Sequence, residues 1–104
     1  MPESSRVTII IPAKNEGKGI GRIIKSAQPY SDDIIVVDGH SNDGTKEIAE
    51  TMGARFLLDN GKGKGNAMKL GVNLAKYENI LFYDADGSHD PTDIPKLCEY
   101  IVSG

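Results

Sequence analysis

Two acids separated by one residue, Asp84 and Asp86, close the apolar run Ile80-Leu81-Phe82-Tyr83, and Gly87, Ser88 and His89 follow. In an extended strand side chains alternate between faces, so both carboxylates point the same way where the strand stops. Paired carboxylates suit a hard divalent cation, Mg²⁺ or Mn²⁺, which keeps waters and substrate phosphates in its shell. The strand end is therefore a place to hold a metal that carries a diphosphate, with the Ser88 hydroxyl as a third oxygen donor. The plainer reading is a polar turn, because Asp-Gly and Asp-Pro are ordinary turn dipeptides.

Other chemistry-bearing residues lie in loops of the same kind. Asp38 ends a wholly apolar stretch and precedes Gly39, where the backbone can turn sharply and approach a ligand. Its carboxylate either accepts from the N–H edge of a nucleobase or from ribose hydroxyls, or it closes a turn; both readings stand. Asp43, before Gly44-Thr45, reads as an ordinary acid at a helix start. The run Gly61-Lys62-Gly63-Lys64-Gly65-Asn66 is not a P-loop, since no Ser or Thr follows the Gly-Lys pair, and its glycine spacing is not the dinucleotide fingerprint. Backbone N–H groups and the ammonium of Lys64 near a helix start still favour phosphates, against the alternative of a solvated loop. His40 and His89 have no zinc-ligand spacing, and His89 reads as an exposed turn residue. Cys98 stands between Leu97 and Ile101 with no base beside it and reads as apolar filler.

Alternating elements must position these residues. Val7-Thr8-Ile9-Ile10-Ile11 is β-branched throughout, the mark of a strand covered on both faces, and Pro12 ends it. The spacing of Ile20, Ile23, Ile24 and Ala27 predicts a helix over residues 20–27. A second buried strand runs from Asp33 or Ile34 to Val37. A helix follows to Met52, capped by Ser41 or Asp43, with Ile48, Ala49 and Met52 inward and Gly53 ending it. Residues 54–58 form a short third strand, and a helix then carries Ala67, Leu70, Gly71, Leu74 and Ala75 at core spacing. The fourth strand leads to Asp84, and a last helix over residues 92–102 presents Ile94, Leu97, Cys98 and Ile101. Four strand-helix alternations call for an α/β domain: an open, mostly parallel sheet of about four strands with helices on both faces. In such sheets ligands sit outside the carboxyl ends of the strands, where the unusual residues fall.

The 104 residues make one domain, 38% hydrophobic and 26% charged. A net charge of -3 with scattered basic residues excludes a nucleic-acid footprint. No apolar run is long enough to span a bilayer, and residues 1–6 lack an export signal, so the expected location is cytoplasmic.

Four motifs in order carry a resemblance: Val7-Thr8-Ile9-Ile10-Ile11-Pro12-Ala13-Lys14-Asn15-Glu16, then Ile35-Val36-Val37-Asp38-Gly39-His40-Ser41-Asn42-Asp43-Gly44-Thr45, then Gly61-Lys62-Gly63-Lys64-Gly65-Asn66-Ala67, then Asp84-Ala85-Asp86-Gly87. Together they closely resemble the donor-binding half of family 2 glycosyltransferases of the GT-A fold. The ending Asp84 to Pro91 with Ile94-Pro95 is most similar to the polyprenyl (dolichyl) phosphate mannose synthase branch. The resemblance implies a site for a nucleotide-diphosphate sugar such as GDP-mannose or UDP-glucose, lined by Pro12, Ala13, Asn15 and Glu16, with Asp38 on the base and Lys64 and Ala85 in the donor site. It also implies that Asp84 and Asp86 touch the ribose and hold Mg²⁺ or Mn²⁺ against the diphosphate. Gly39 stands where many members have a second Asp. Members continue past the position of Gly104, so the acceptor site, for a polyprenyl phosphate or another hydroxyl, and the catalytic base are expected there, along with any anchor to the cytoplasmic face of a membrane. Residues 1–104 are then the donor-binding part of a GT-A domain, truncated and inactive alone. The alternative is a non-catalytic nucleotide-binding or assembly module that needs a partner, including a second copy covering an exposed sheet edge. Nucleotidyl transfer fits less well, because the loop after the first strand is Pro-Ala-Lys-Asn-Glu rather than glycine-rich and Arg-containing.

Overall fold

A computed structural model describes residues 7–14, 17–29, 31–59, 61 and 64–83, except for the side chains of Lys18 and Lys64. The expected helix over residues 92–102 lies outside these residues. Within them the chain alternates strand and helix: β1 (Val7–Ala13), α1 (Gly17–Ala27), β2 (Asp33–Asp38), α2 (Thr45–Thr51), β3 (Arg55–Leu58), α3 (Lys64–Leu74) and β4 (Asn79–Phe82). The strands form one sheet in the order β3-β2-β1-β4, and every pairing is parallel.

That order follows from which faces the helices cover. Alternate residues of β1 point to opposite sides. Val7, Ile9, Ile11 and Ala13 join Ile34 and Val36 of β2 in a core closed by Ile20, Ile23, Ile24 and Ala27 of α1 and by Ala49 of α2. Ile10, Ile35 and Val37 face the other way and pack against Ala67 of α3. Right-handed crossovers through α1 and α2 carry the chain outward to β3, and the crossover through α3 returns it over the opposite face to β4.

Helix α3 lies close to the sheet because position 71 has no side chain. A methyl carbon built onto Gly71 would lie 2.9 Å from Ile10 Cγ2, 3.1 Å from Ile10 Cδ1 and 3.3 Å from Val37 Cγ2. Leu74, expected inward, is instead 43% exposed. The backbone of α3 begins at Lys64, inside the segment read as a loop.

The expected side-chain cap of α2 is absent. Gly44, at φ 88°, occupies the cap position with no side-chain hydrogen bond, because Ser41 is engaged with Asp38 and Asp43 Oδ1 accepts from Thr45 Oγ1 at 2.6 Å. The other end matches the expectation. Gly53, at φ 85°, donates to Glu50 O, and Ala54 donates to Ala49 O, the paired bonds that terminate a helix at a left-handed glycine.

The amino-terminal rim of the sheet is tied by a buried acid. Asp33, 4% exposed, accepts from Thr8 Oγ1 at 2.6 Å, from Arg55 Nη2 at 2.7 Å and from the Lys76 backbone N–H at 2.7 Å. Ser31 adds a hydroxyl bond to the Val7 carbonyl. One carboxylate thus joins β1, β2, β3 and the turn before β4, and its burial is offset by charge-assisted bonds.

Candidate active site

At the opposite rim the strand ends are level. Ala13 pairs with Asp38, and Asp38 pairs with Leu58. The ladder continues one step into the loops, with Gly39 N–H donating to Ala13 O at 2.8 Å and Asp59 N–H to Asp38 O at 2.9 Å. On the other side of β1, Tyr83 N–H donates to Ile10 O at 2.9 Å, and the Tyr83 side chain is buried. Ile10 thus turns its backbone groups toward β4 and Ala13 turns its own toward β2, so Pro12, in step with Ile10, has its missing N–H on the β4 side. The order reverses here, since β1 leads to β2 on one flank and has β4 on the other. A crevice at such a switch point is where α/β sheets take ligands.

Asp38 is 2% exposed. One of its oxygens accepts the Ser41 N–H at 2.7 Å and the other the Ser41 hydroxyl at 2.5 Å. The turn-closing reading is realised in this geometry, and an ionised carboxylate retains further lone pairs for a ligand donor. His40 is the single non-glycine residue with positive φ among the described residues, at 65°. Its Nε2 lies 2.9 Å from Asp59 O and 3.6 Å from Asp59 Oδ1. Asp59 Oδ1 also accepts the Gly61 N–H at 2.9 Å. The loops after β2 and β3 are therefore latched together, and the Lys14 side chain lies against Gly39 from the end of β1.

Of the residues singled out by sequence, Pro12, Ala13 and Asp38 come together at adjacent strand ends. Lys64 opens α3, with its side chain outside the described residues. Asn15, Glu16, Asp84, Ala85, Asp86 and Ser88 also lie outside them. Among the described residues no group of three His, Cys, Asp or Glu side chains could hold a metal, and no helix is long and apolar enough to cross a membrane. Asp59 and Lys14 were not singled out as site residues. The signal in the sequence was Asp59-Asn60-Gly61, where an Asp side chain commonly bonds the backbone two residues on.

A parallel sheet wound on both faces, with acids and tight turns at its carboxyl rim, is an open α/β sheet of the Rossmann-like kind. The model of the family described as glycosyl transferase family 2 matches residues 8–104. Glycosyltransferase AglJ of Haloferax volcanii is 35% identical over 111 residues, covering 100% of this chain and 35% of that protein. An uncharacterized glycosyltransferase of Mycobacterium bovis is 34% identical over 94% of this chain and 44% of its own length. Glucosyl-3-phosphoglycerate synthase from Mycobacterium tuberculosis, solved with Mn²⁺, UDP and glucosyl-3-phosphoglycerate, superposes with a TM-score of 0.79 at 26% identity over 96% of this chain and 40% of that one. Mannosyl-3-phosphoglycerate synthase from Rubrobacter xylanophilus superposes with a TM-score of 0.72 at 30% identity, covering 81% of this chain and 31% of that one. The chain belongs to glycosyl transferase family 2, shares the GT-A fold of these neighbours, and spans less than half the length of the relatives named here.

Proposed function

We propose that this chain is the donor-binding part of a metal-dependent glycosyltransferase that moves a sugar from a nucleotide-diphosphate sugar to a lipid phosphate or another hydroxyl acceptor. The observation that carries the reading is the topological switch point of the sheet, where Pro12, Ala13 and Asp38 meet at level strand ends and β4 runs on the other flank of β1 as far as Tyr83. Asp84 and Asp86 follow Tyr83 directly in sequence, with Ser88 beyond. Their hard oxygen donors fit Mg²⁺ or Mn²⁺. A divalent ion bound there supplies neutralising charge for the departing nucleoside diphosphate. On this reading Pro12 and Ala13 line the nucleoside with Asn15 and Glu16, Asp38 holds the loop that meets the base, and Lys64 and Ala85 lie along the phosphates.

Support for a nucleotide donor and a divalent ion comes from the neighbours solved with UDP and Mn²⁺ or Mg²⁺. The phosphoglycerate seen in one such complex is an acid with a free hydroxyl, and the lipid-phosphate acceptor rests on the likeness of Asp84 to Pro91 to polyprenyl phosphate mannose synthases. Calorimetric titration with UDP and GDP, with Mn²⁺ and with chelator, tests the donor site. Metal-dependent binding that disappears in Asp86→Ala is expected; absence of binding to either nucleotide overturns the proposal. Little or no transfer to polyprenyl phosphate or 3-phosphoglycerate is expected from residues 1–104 alone, and robust turnover would show that they are more than the donor-binding part.

A further inference from the structure

The two faces of β4 are covered unequally. Leu81 and Tyr83 are 7% and 1% exposed and belong to the core that α1 closes. Phe82 pairs with Ile10 and so shares the α3 face of the sheet, yet it is 41% exposed. Beside it runs one flank of α3. Gly65, Met68, Lys69, Val72 and Asn73 recur at helical spacing and line, with Phe82, an open groove of about 230 Å³. Val72 on that flank is 43% exposed. The groove opens at the carboxyl rim, where α3 begins, and runs about 12 Å down the helix at 1.5 Å per residue.

We infer that this groove is the seat of residues 92–102 of the same chain, docked as a helix alongside α3 with Ile94, Leu97, Cys98 and Ile101 inward. Burial selects the face. On the α1 side Leu81 and Tyr83 are already closed over, so a helix following β4 finds unmet apolar surface only at Phe82 and Val72. Handedness selects the same face. The chain crosses from β3 to β4 over the α3 side of the sheet, and a right-handed connection continuing in that direction keeps the next helix on that side. Length and pattern select the segment. Residues 84–91 leave β4 at the rim where the groove opens, and eight residues reach as far as about 27 Å, ample for the chain to turn back. The stripe Ile94, Leu97, Cys98 and Ile101 follows the i, i+3, i+4, i+7 spacing of one helix face, and a helix over 92–102 is about 16 Å long, enough to fill the groove. The inference stands apart from the donor-site reading and bears on it: a helix seated there ties the segment carrying Asp84 and Asp86 to the carboxyl rim at both ends.

Cys98 is the only cysteine, so one introduced thiol makes the seat measurable. Met68→Cys and Val72→Cys each place a thiol in the groove, and Thr51→Cys places one on the exposed side of α2, across the sheet; thermal melts verify folding. On mild oxidation of the full chain, at least one groove variant should form an intramolecular disulfide with Cys98, located by peptide mapping. Its rate should exceed that of Thr51→Cys by about tenfold or more, because a disulfide needs Cα atoms within about 7 Å of each other. Adding Leu97→Asp, which puts a charge on the stripe, should slow the reaction about tenfold, while Glu99→Gln, off the stripe, should leave it unchanged. Failure of both groove variants to cross-link overturns the inference, as does Thr51→Cys reacting as fast or a rate indifferent to Leu97→Asp. A disulfide found only between two chains overturns it too, and makes a second copy the occupant.

Discussion

Glycine at position 71 sets two physical effects against each other, and their magnitudes decide the sign of a simple substitution. Gly71→Ala removes the backbone entropy cost of a mid-helix glycine, a gain of about 1 kcal/mol. The new methyl, however, would stand 2.9 Å from one Ile10 methyl and 3.1 Å from another, well inside the roughly 3.5–4.0 Å at which carbon atoms attract. Either Ile10, which is fully buried in a central strand, leaves its rotamer, or α3 moves outward. The helix is held at its far end, because Leu74 O accepts from Arg55 Nη2 at 2.5 Å and the Lys76 N–H, just beyond, is bonded to Asp33. Overpacking of this kind costs about 1–3 kcal/mol, so the net effect is a loss of about 1 kcal/mol, equivalent to a fall in melting temperature of about 4–8 °C. Gly65→Ala is the internal control, since it lies in the same helix and its added methyl meets nothing within 4 Å. In urea unfolding followed by circular dichroism, Gly71→Ala should lower the midpoint without changing the slope, and Gly65→Ala should leave it unchanged or raise it. A Gly71→Ala protein as stable as wild type would refute the steric reasoning.

Two further substitutions probe the amino-terminal rim. Asp33→Ala strands the Thr8 hydroxyl, the Lys76 N–H and the Arg55 guanidinium and should cost about 3–5 kcal/mol; a loss under about 1 kcal/mol in urea unfolding would show the network to be incidental. Asp32 is held below its ordinary value of 3.8 by the Tyr77 hydroxyl first and by Lys76 next, so its contribution is complete above that value and is lost as pH falls through the lowered one. Lys76 is raised above 10.5, chiefly by its bond to Asp32, so its contribution is complete below 10.5 and is lost as pH rises through the raised value. Melting temperatures of wild type and Asp32→Asn should therefore converge in strong acid and draw closer in strong alkali as Lys76 loses its proton, while differing most between; a constant difference across the range contradicts the linkage.

The buried strands were legible because the sheet is covered on both faces. Residues 7–11, apolar but for Thr8, and 34–37 are strand-length runs, and all of them are buried. Helix α1 was legible from its single apolar stripe, and the glycine ending α2 from its position. Local signals failed where side chains had a choice of partner. Ser41 and Asp43 are good capping residues, but Ser41 is taken by Asp38 and Asp43 by Thr45, so a bare glycine caps α2. Lys64 and Gly65 read as loop by propensity and lie in the first turn of α3. Asp33 was recognised only as a strand start, because its partners Thr8, Arg55 and Lys76 are far apart in sequence. At the carboxyl rim, motif order grouped Pro12, Ala13 and Asp38, which the register does bring together, whereas placing Asp59 beside them needed the parallel pairing of β3 with β2.

The two rims of the sheet use acids in opposite ways. At the amino-terminal rim, the Asp33 carboxylate is surrounded by donors from three distant parts of the chain, so a ligand would have to displace a bond that ties strands together to reach it. At the carboxyl rim, the bonds of Asp38 and Asp59 fall within their own loops or on the one adjoining, and they fix backbone rather than bridge distant strands. His40 holds a left-handed backbone conformation there, which is unfavourable for a residue with a side chain and persists only where its surroundings impose it. Rigid strands level at one edge and loops latched to one another give a preorganised rim, so little ordering would be left for a ligand on it to impose.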